Sequence, residues 1–222
     1  MSNWIQSIRD NKKTTKTIAG IIFIFNVYAM IDLFFLNESM LEVLERLRMF
    51  TNISNMIVFV VVGLYLLNIH QEKWFKYLAV IGLVAILMTG IIYHALLAEP
   101  GMSFQNHVVH TINPVLFAAF YYLLIKEGIK LRHVWVSLIL PILYFGIILA
   151  VGPWTNWYPY NFMNPTYGDQ SLSSVLIFCL GIMLPVIVLF TFLLVLLKNF
   201  IEKLINKGLN VVNPKYWTYF LS

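Results

Sequence analysis

The sequence predicts an all-α, polytopic membrane protein: a bundle of six transmembrane helices with both termini in the cytoplasm. Of its 222 residues, 60% are hydrophobic and 11% are charged, whereas a soluble domain carries about a quarter charged residues. The chain contains six apolar runs, each close to the ~20 residues that cross a bilayer core. Lys and Arg are concentrated on one side of these runs. The composition therefore excludes a soluble globular protein and predicts a single integral membrane domain over residues 1–222.

The predicted spans are separated by short polar connections. They cover residues 17–36, 52–69, 77–97, 107–125, 134–151 and 171–197. The first run resembles a secretory leader in that Lys12, Lys13 and Lys16 precede it. However, Asn26 and Asp32 interrupt the run and no small-residue cleavage site follows, so it is predicted to remain as a span.

The distribution of basic residues predicts the orientation. Of the 15 Lys and Arg residues, only Arg46 and Arg48 fall on the side opposite the rest. The others lie before the first run, after the second and fourth runs, and in the tail. By the positive-inside rule, both termini are cytoplasmic. The basic loops are expected to contact anionic lipids of the inner leaflet, so the net charge of +5 does not indicate a nucleic-acid partner.

Two amphipathic stretches lie outside the predicted spans. Residues 40–49 and the cytoplasmic tail, 198–222, are predicted to form helices that lie in the membrane surface, with solvated loop helices as the alternative. Gly208 interrupts the apolar face of the tail and is predicted to end its helix. The single cysteine, Cys179, lies inside an apolar run, which excludes a disulfide framework and a cysteine-based zinc site.

Polar residues from different spans are predicted to meet near the outer surface, because the first and third spans end there while the second and fourth begin there. Polar side chains are costly in hydrocarbon, so their convergence at one depth predicts a functional site. Pro114 cannot bond back to the carbonyl of His110, which frees an acceptor near this site. The converging residues are Asp32, Thr51, Ser54, Asn55, His94, Asn106, His107, His110 and Asn113.

Helical spacing suggests roles for some of these residues. Thr51 and Asn55 are four apart with Ser54 beside them, and His107 and His110 are three apart, so each pair shares a helix face. A threonine hydroxyl needs a base to become a nucleophile, and imidazole is the usual base near neutral pH. Thr51, His110 and Asn55 are predicted to act as nucleophile, base and orienting group. The alternatives are a helix N-cap for Thr51 and, for each histidine, an interfacial residue bonded to a backbone carbonyl.

Three short motifs carry a resemblance to a known family. They are Phe50-Thr51, Asn106-His107-x-x-His110-Thr111 and Trp157-Tyr158-Pro159-Tyr160. They resemble motifs of the androgen-induced protein family, which includes the androgen-dependent TFPI-regulating protein and bacterial six-span relatives. The resemblance implies a threonine hydrolase of fatty acid esters of hydroxy fatty acids, or of a related membrane lipid, in a bacterial plasma membrane. It assigns the nucleophile to Thr51 and its partner to His110, with no metal or cofactor.

Other polar residues are expected to support this pair or to contact the substrate. They are Ser54, Asn55, His94, His107, Asn113 and Tyr158. The chain departs from the family in having Ser54 three residues after Thr51, where the animal proteins have an acidic or amide residue, and the pair Tyr93-His94 has no counterpart. Arg46 or Arg48 is a candidate to hold a substrate carboxylate, the alternative being that both anchor an interfacial helix.

Two other classes of function remain open from the sequence. A metal or haem site built on His94, His107 and His110 is one, since three histidines and a water form a known zinc arrangement. Few acidic residues are placed to orient these imidazoles, which disfavours it. A transporter or a non-enzymatic membrane protein is the other, and the lack of an internal sequence repeat disfavours a transporter.

Overall fold

The computed structural model of the chain describes residues 2–36, 39–98 and 100–212. Every regular element in these ranges is helical, and no strand occurs among them. The helices are α1 Ser2–Asp10, α2 Lys12–Phe35, α3 Met40–Leu47, α4 Phe50–Leu66, α5 Phe75–Leu97, α6 Phe104–Leu124, α7 Leu131–Thr155 and α8, which begins at Leu172 and continues through Leu184–Val212. The prediction of an all-α protein is confirmed.

Five of these helices are long and apolar enough to cross a membrane: α2, α5, α6, α7 and α8. The helix predicted as the second span, α4, has 17 residues, so it is about 26 Å long at ~1.5 Å per residue. It passes the same test only together with α3, from which it is bent by 86°. The chain therefore has five or six helices suited to a bilayer, and each begins and ends within a few residues of its predicted bounds except α8.

Short polar side chains cap the starts of α2, α3, α6 and α8. The Asn11 side chain accepts a hydrogen bond from the backbone N–H of Thr14, and Ser39 and Ser103 cap α3 and α6 in the same way. Such caps satisfy N–H groups that have no partner within the helix. The start of α4 is an exception, because Met49 occupies the cap position and provides no side-chain bond.

The helix α5 lies at the centre of the bundle. It packs against α4 and α6 along its length and against α7 on another side, while α2 covers α4 and α6. Its fully buried side chains include Leu83 and Ile86. The helix α8 packs on α1 and on the first turns of α7. The first six helices thus form a compact group, and α7 and α8 lie beside it.

A buried ionic cluster joins α1, α6 and α8 at the end of the bundle far from Thr51. The Arg9 guanidinium donates to Glu202 at 2.7 Å and to the carbonyl of Leu123 at 2.7 Å. The Lys198 ammonium donates to the same carboxylate at 2.6 Å and also to the carbonyl of Ile125. Both cations therefore satisfy carbonyls at the C-terminus of α6, where the helix dipole favours positive charge.

The predicted end of the tail helix at Gly208 is wrong. The helix α8 continues through this position to Val212, because a glycine inside a helix costs only about 1 kcal/mol and the helix is already anchored by Lys198. The rest of the predicted amphipathic tail, 213–222, lies outside the described residues.

Candidate functional site

A cavity of about 100 Å³ lies where α4 begins and α5 ends. Its wall is mostly apolar and is built from α4, α5, α6, α7, α8 and the segment between α7 and α8. Thr51 and His110, the predicted nucleophile and base, both line it. Thr89, Tyr144 and Tyr160 are other polar residues of the wall. The structure therefore brings the predicted pair to one cavity.

Thr51 is the second residue of α4 and does not cap it, since Met49 holds the cap position. The predicted alternative role as an N-cap is therefore wrong, and the hydroxyl is free for other contacts. Burial raises the pKa of the Tyr160 phenol, and the Thr51 hydroxyl and the backbones of Thr51 and Phe50 partly offset this rise. Phe50, Thr51 and Tyr160 all line the cavity, so the Tyr160 side chain and the first turn of α4 contribute to the same wall.

A chain of buried asparagines fixes the backbone around Thr51. The Asn55 amide donates to the carbonyls of Thr51 at 2.8 Å and Val109 at 3.3 Å. The Asn113 amide donates to Asn55 Oδ1 at 2.7 Å, and the Asn26 amide donates to Asn113 Oδ1 at 3.0 Å. An amide in an apolar interior is stable only when it is bonded. The chain therefore locks α2, α4 and α6 together beside the cavity.

Ser54 joins α4 to α5. Its hydroxyl donates to the carbonyl of Thr51 at 2.8 Å and shares a hydrogen bond of 2.8 Å with the hydroxyl of Thr89. Ser54 is fully buried and does not line the cavity, whereas Thr89 does. Thr89 was not predicted as a site residue, because a single threonine inside an apolar run does not form a recognisable motif. Asn26 was not predicted to belong to the site for the same reason.

His110 lies at the centre of a π-helical turn, Val108–Ile112. The missing N–H of Pro114 leaves the carbonyl of His110 without its usual helical partner, which fits this irregular turn. π-Turns of this kind are frequent at functional sites. Gly90 of α5 allows the close approach, since a Cβ there would stand 2.9 Å from the carbonyl oxygen of His110.

The imidazole of His110 is stacked on one face, and one of its nitrogens has no hydrogen-bond partner among the described residues. The ring of Tyr93 stacks on it at 3.7 Å between centroids and 12° between planes. The His110 Nδ1 is buried and has no hydrogen-bond partner in the part of the chain that the structure describes. The ring is thus oriented by its stacking contact, and one of its nitrogens remains available for a hydrogen bond.

Three other predicted residues lie away from the cavity. His107 is exposed and does not line it, so the expectation that it shares a face with His110 is wrong. The reason is that the π-turn between them replaces the regular three-residue spacing of an α-helix. His94 is also exposed, and its Nε2 is 2.9 Å from the Thr111 hydroxyl. Tyr158 packs against α7 at Gly152, where a Cβ would stand 2.3 Å from its ring.

The arginines predicted as carboxylate ligands have other partners. Arg46 forms an ion pair with Asp32, and the guanidinium of Arg48 lies 5.5 Å from the centre of the Trp157 ring. Neither arginine lines the cavity. Both contacts hold the segment before α4 in place.

The three-histidine alternative is not assembled in this structure. Within residues 2–36, 39–98 and 100–212, no group of three or more His, Cys, Asp and Glu side chains is placed to hold a metal ion. His110 is buried against Tyr93, whereas His94 and His107 are exposed.

Comparisons with known protein families, with curated proteins and with solved structures find no match for this chain. Its function therefore has to be argued from the residues of the cavity.

Proposed function

We propose that this chain is an intramembrane lipid ester hydrolase, with Thr51 as the nucleophile and His110 as the general base. One observation carries the proposal: a threonine hydroxyl released from helix capping and an imidazole with an unpartnered nitrogen line the same apolar cavity. Acyl transfer by a threonine needs a base that can come within hydrogen-bond reach of its hydroxyl, and a shared cavity allows this approach.

The proposed reaction has two halves. In the first, His110 takes the proton of Thr51 while the hydroxyl oxygen attacks the ester carbonyl. The tetrahedral intermediate collapses, His110 returns the proton to the leaving alkoxide, and an alcohol departs from an acyl-Thr51 ester. In the second, His110 takes a proton from water, and the hydroxide attacks this ester. Collapse releases the carboxylic acid and restores the Thr51 hydroxyl with the proton from His110.

The surroundings of the pair support these steps. The stacked Tyr93 ring fixes the plane of the imidazole, and in the tautomer protonated at Nε2 the unpartnered Nδ1 keeps its lone pair. The developing oxyanion needs hydrogen-bond donors that are already in place. We assign this task to the first N–H groups of α4, which have no partner within the helix, and to the Tyr160 phenol, which lines the same cavity.

The proposed setting follows the distribution of basic residues. We place six helices across a bacterial plasma membrane, with α4 as the short second span and both termini in the cytoplasm. Thr51 and His110 then lie near the outer interface, the depth at which the ester groups of membrane lipids occur. The proposed substrates are fatty acid esters of hydroxy fatty acids or related lipids, as the resemblance to the androgen-induced protein family implies. Reporter fusions in residues 156–170 and after residue 206 test the orientation.

The decisive experiment measures hydrolysis of a long-chain ester by the purified protein in lipid nanodiscs. Thr51→Ala and His110→Ala are each expected to lower kcat by at least about a hundredfold, because residues that work as a unit fail together. Exposed residues provide matched controls: Thr155→Ala and His107→Ala are expected to keep the wild-type rate. A fluorophosphonate probe should label Thr51, and a chelator should not change the rate. Wild-type activity in Thr51→Ala would eliminate the threonine mechanism.

A further inference from the structure

The two last helices separate toward the cavity. They are joined near the start of α7, where the Ser137 hydroxyl donates to the Thr191 hydroxyl at 3.1 Å. Farther along, the segment Ile139–Thr155 of α7 makes at most isolated contacts with α8 among the described residues. The cavity fills the cleft that this separation leaves, and Ile142 of α7 and Leu180 of α8 line its two sides.

This cleft opens toward the surface that the bilayer surrounds. Ile142 and Leu180 are 46% and 48% exposed although both line the cavity. A second apolar groove shares Leu180 and Leu184 with the cavity and continues along α8 as far as Phe192. The cavity and the groove therefore form one continuous apolar path from Thr51 to the outer face of α8.

The opposite end of the cavity is covered. Tyr160 and Phe162, from the segment between α7 and α8, are stacked at 5.2 Å between centroids. Phe162 also contacts Phe178 of α8 at 5.7 Å. Tyr160, Phe162 and the adjacent Met163 line the cavity. These side chains shield it on the side where α4 begins, so the open side is the apolar cleft.

The dimensions of the path fit one acyl chain. Leu180 and Phe192 are twelve positions apart on a helix, which is about 18 Å at ~1.5 Å per residue. One leaflet contributes about half of a ~30 Å hydrocarbon core, or about 15 Å of acyl chain. Thr51, Thr89 and His110, which come from α4, α5 and α6, line the wall across from the cleft. The path thus has an apolar section about as long as a lipid tail and a reactive end.

We propose that the cleft between α7 and α8 is a lateral entrance, through which one acyl chain of a lipid ester enters from the bilayer and lies along α8 with its ester at Thr51. This inference rests on the proposed hydrolase function for its reactive end, but the acyl-binding path is a separate claim. The class of substrate it specifies is a long, single-chain acyl ester that is dissolved in the membrane.

The test fills the mouth of the cleft and compares two substrates. Leu180→Trp is expected to lower kcat/KM for a long-chain ester about tenfold, because it removes contacts along the remote chain. The loss should be smaller for a short-chain ester, because its acyl chain makes fewer contacts along the path. Val186→Trp is the matched control, because Val186 is an exposed residue of α8 that lines neither the cavity nor the groove.

A binding measurement separates this inference from the hydrolase proposal. A fatty acid carrying a diazirine, in nanodiscs, should label residues 180–192 of wild type and of Thr51→Ala, and Leu180→Trp should reduce the labelling. Labelling of this segment without any ester hydrolysis would refute the proposed hydrolase function and would still support the lateral entrance. Equal effects of Leu180→Trp and Val186→Trp on the long ester, or labelling elsewhere, would overturn the entrance. So would a dimer that Leu180→Trp dissociates, because a second copy would then fill the cleft.

Discussion

Removing the central amide of the asparagine chain should destabilise the fold beside the cavity by a calculable amount. Asn55→Ala removes two bonds donated by Asn55 and the one it accepts from Asn113. Polar bonds between membrane helices contribute about 0.6 kcal/mol each on average, so three amount to about 2 kcal/mol. For a chain of this length, the apparent melting temperature should fall by about 4–8 °C.

Thermal unfolding, followed by tryptophan fluorescence at fixed detergent concentration, measures this loss. Asn52→Ala is the matched control, because Asn52 is on the same helix and donates a single bond, to the carbonyl of Arg46 at 2.7 Å. The destabilisation by Asn52→Ala should be about a third of that by Asn55→Ala, because one bond of the same average strength is lost instead of three. The double variant Asn55→Ala/Asn113→Ala should lose less than the sum of the two single variants, since they share a bond. Strict additivity, or an unchanged melting temperature in Asn55→Ala, would refute the role of the chain.

Three further predictions address other parts of the molecule. Gly90→Ala should destabilise the protein by about 1–3 kcal/mol in thermal unfolding because its Cβ meets the carbonyl of His110, whereas Gly146→Ala, with nothing within 4 Å, should not. Burial lowers the pKa of His70 below its usual value, so the unfolded chain binds more protons and stability should fall as pH drops through about 6.5. His70→Gln should flatten that dependence in melting temperatures measured from pH 8 to 5. Lys126, Lys130 and Lys203 line a polar groove between α5, the connection from α6 to α7, and α8, at the predicted cytoplasmic end. Replacing these three lysines by Gln should weaken binding to anionic vesicles more than replacing Lys12 and Lys13 by Gln. Equal binding by the two sets would contradict a preferred anionic-lipid site there.

Much of the architecture could be predicted because it depends on hydrophobic composition and on the spacing of apolar and polar residues along the chain. Long apolar runs predict helices, and polar residues at their ends predict which ends meet. Thr51 and His110 could be paired in advance because the up-and-down order of the helices brings the start of α4 close to the start of α6. The hydrogen bond between Asn55 and Asn113 could not be predicted, since the sequence does not give the rotation of each helix about its axis.

The failures have a local cause. The expectation for His107 assumed regular helical spacing, and the π-turn at Val108–Ile112 breaks that spacing. Pro114 signalled an irregularity there, but a missing N–H predicts only that a carbonyl is free and not how the backbone adjusts. For Thr51, a helix start normally selects a capping side chain, whereas the cap position of α4 is Met49, which provides no side-chain bond.

The polar contacts divide the molecule into two parts with different tasks. Asn26, Asn113 and Asn55 form consecutive hydrogen bonds between α2, α6 and α4. Asn55 and Ser54 both donate to the carbonyl of Thr51, and Ser54 is also bonded to Thr89 of α5. Such bonds in an apolar interior fix geometry, because each broken one leaves an unsatisfied group. By contrast, the cleft between α7 and α8 is lined by apolar side chains, which can slide over an acyl chain with little directional cost. In the proposed hydrolase, the hydrogen-bonded part, which contains Thr51 and His110, positions the nucleophile, and the apolar cleft admits the lipid tail.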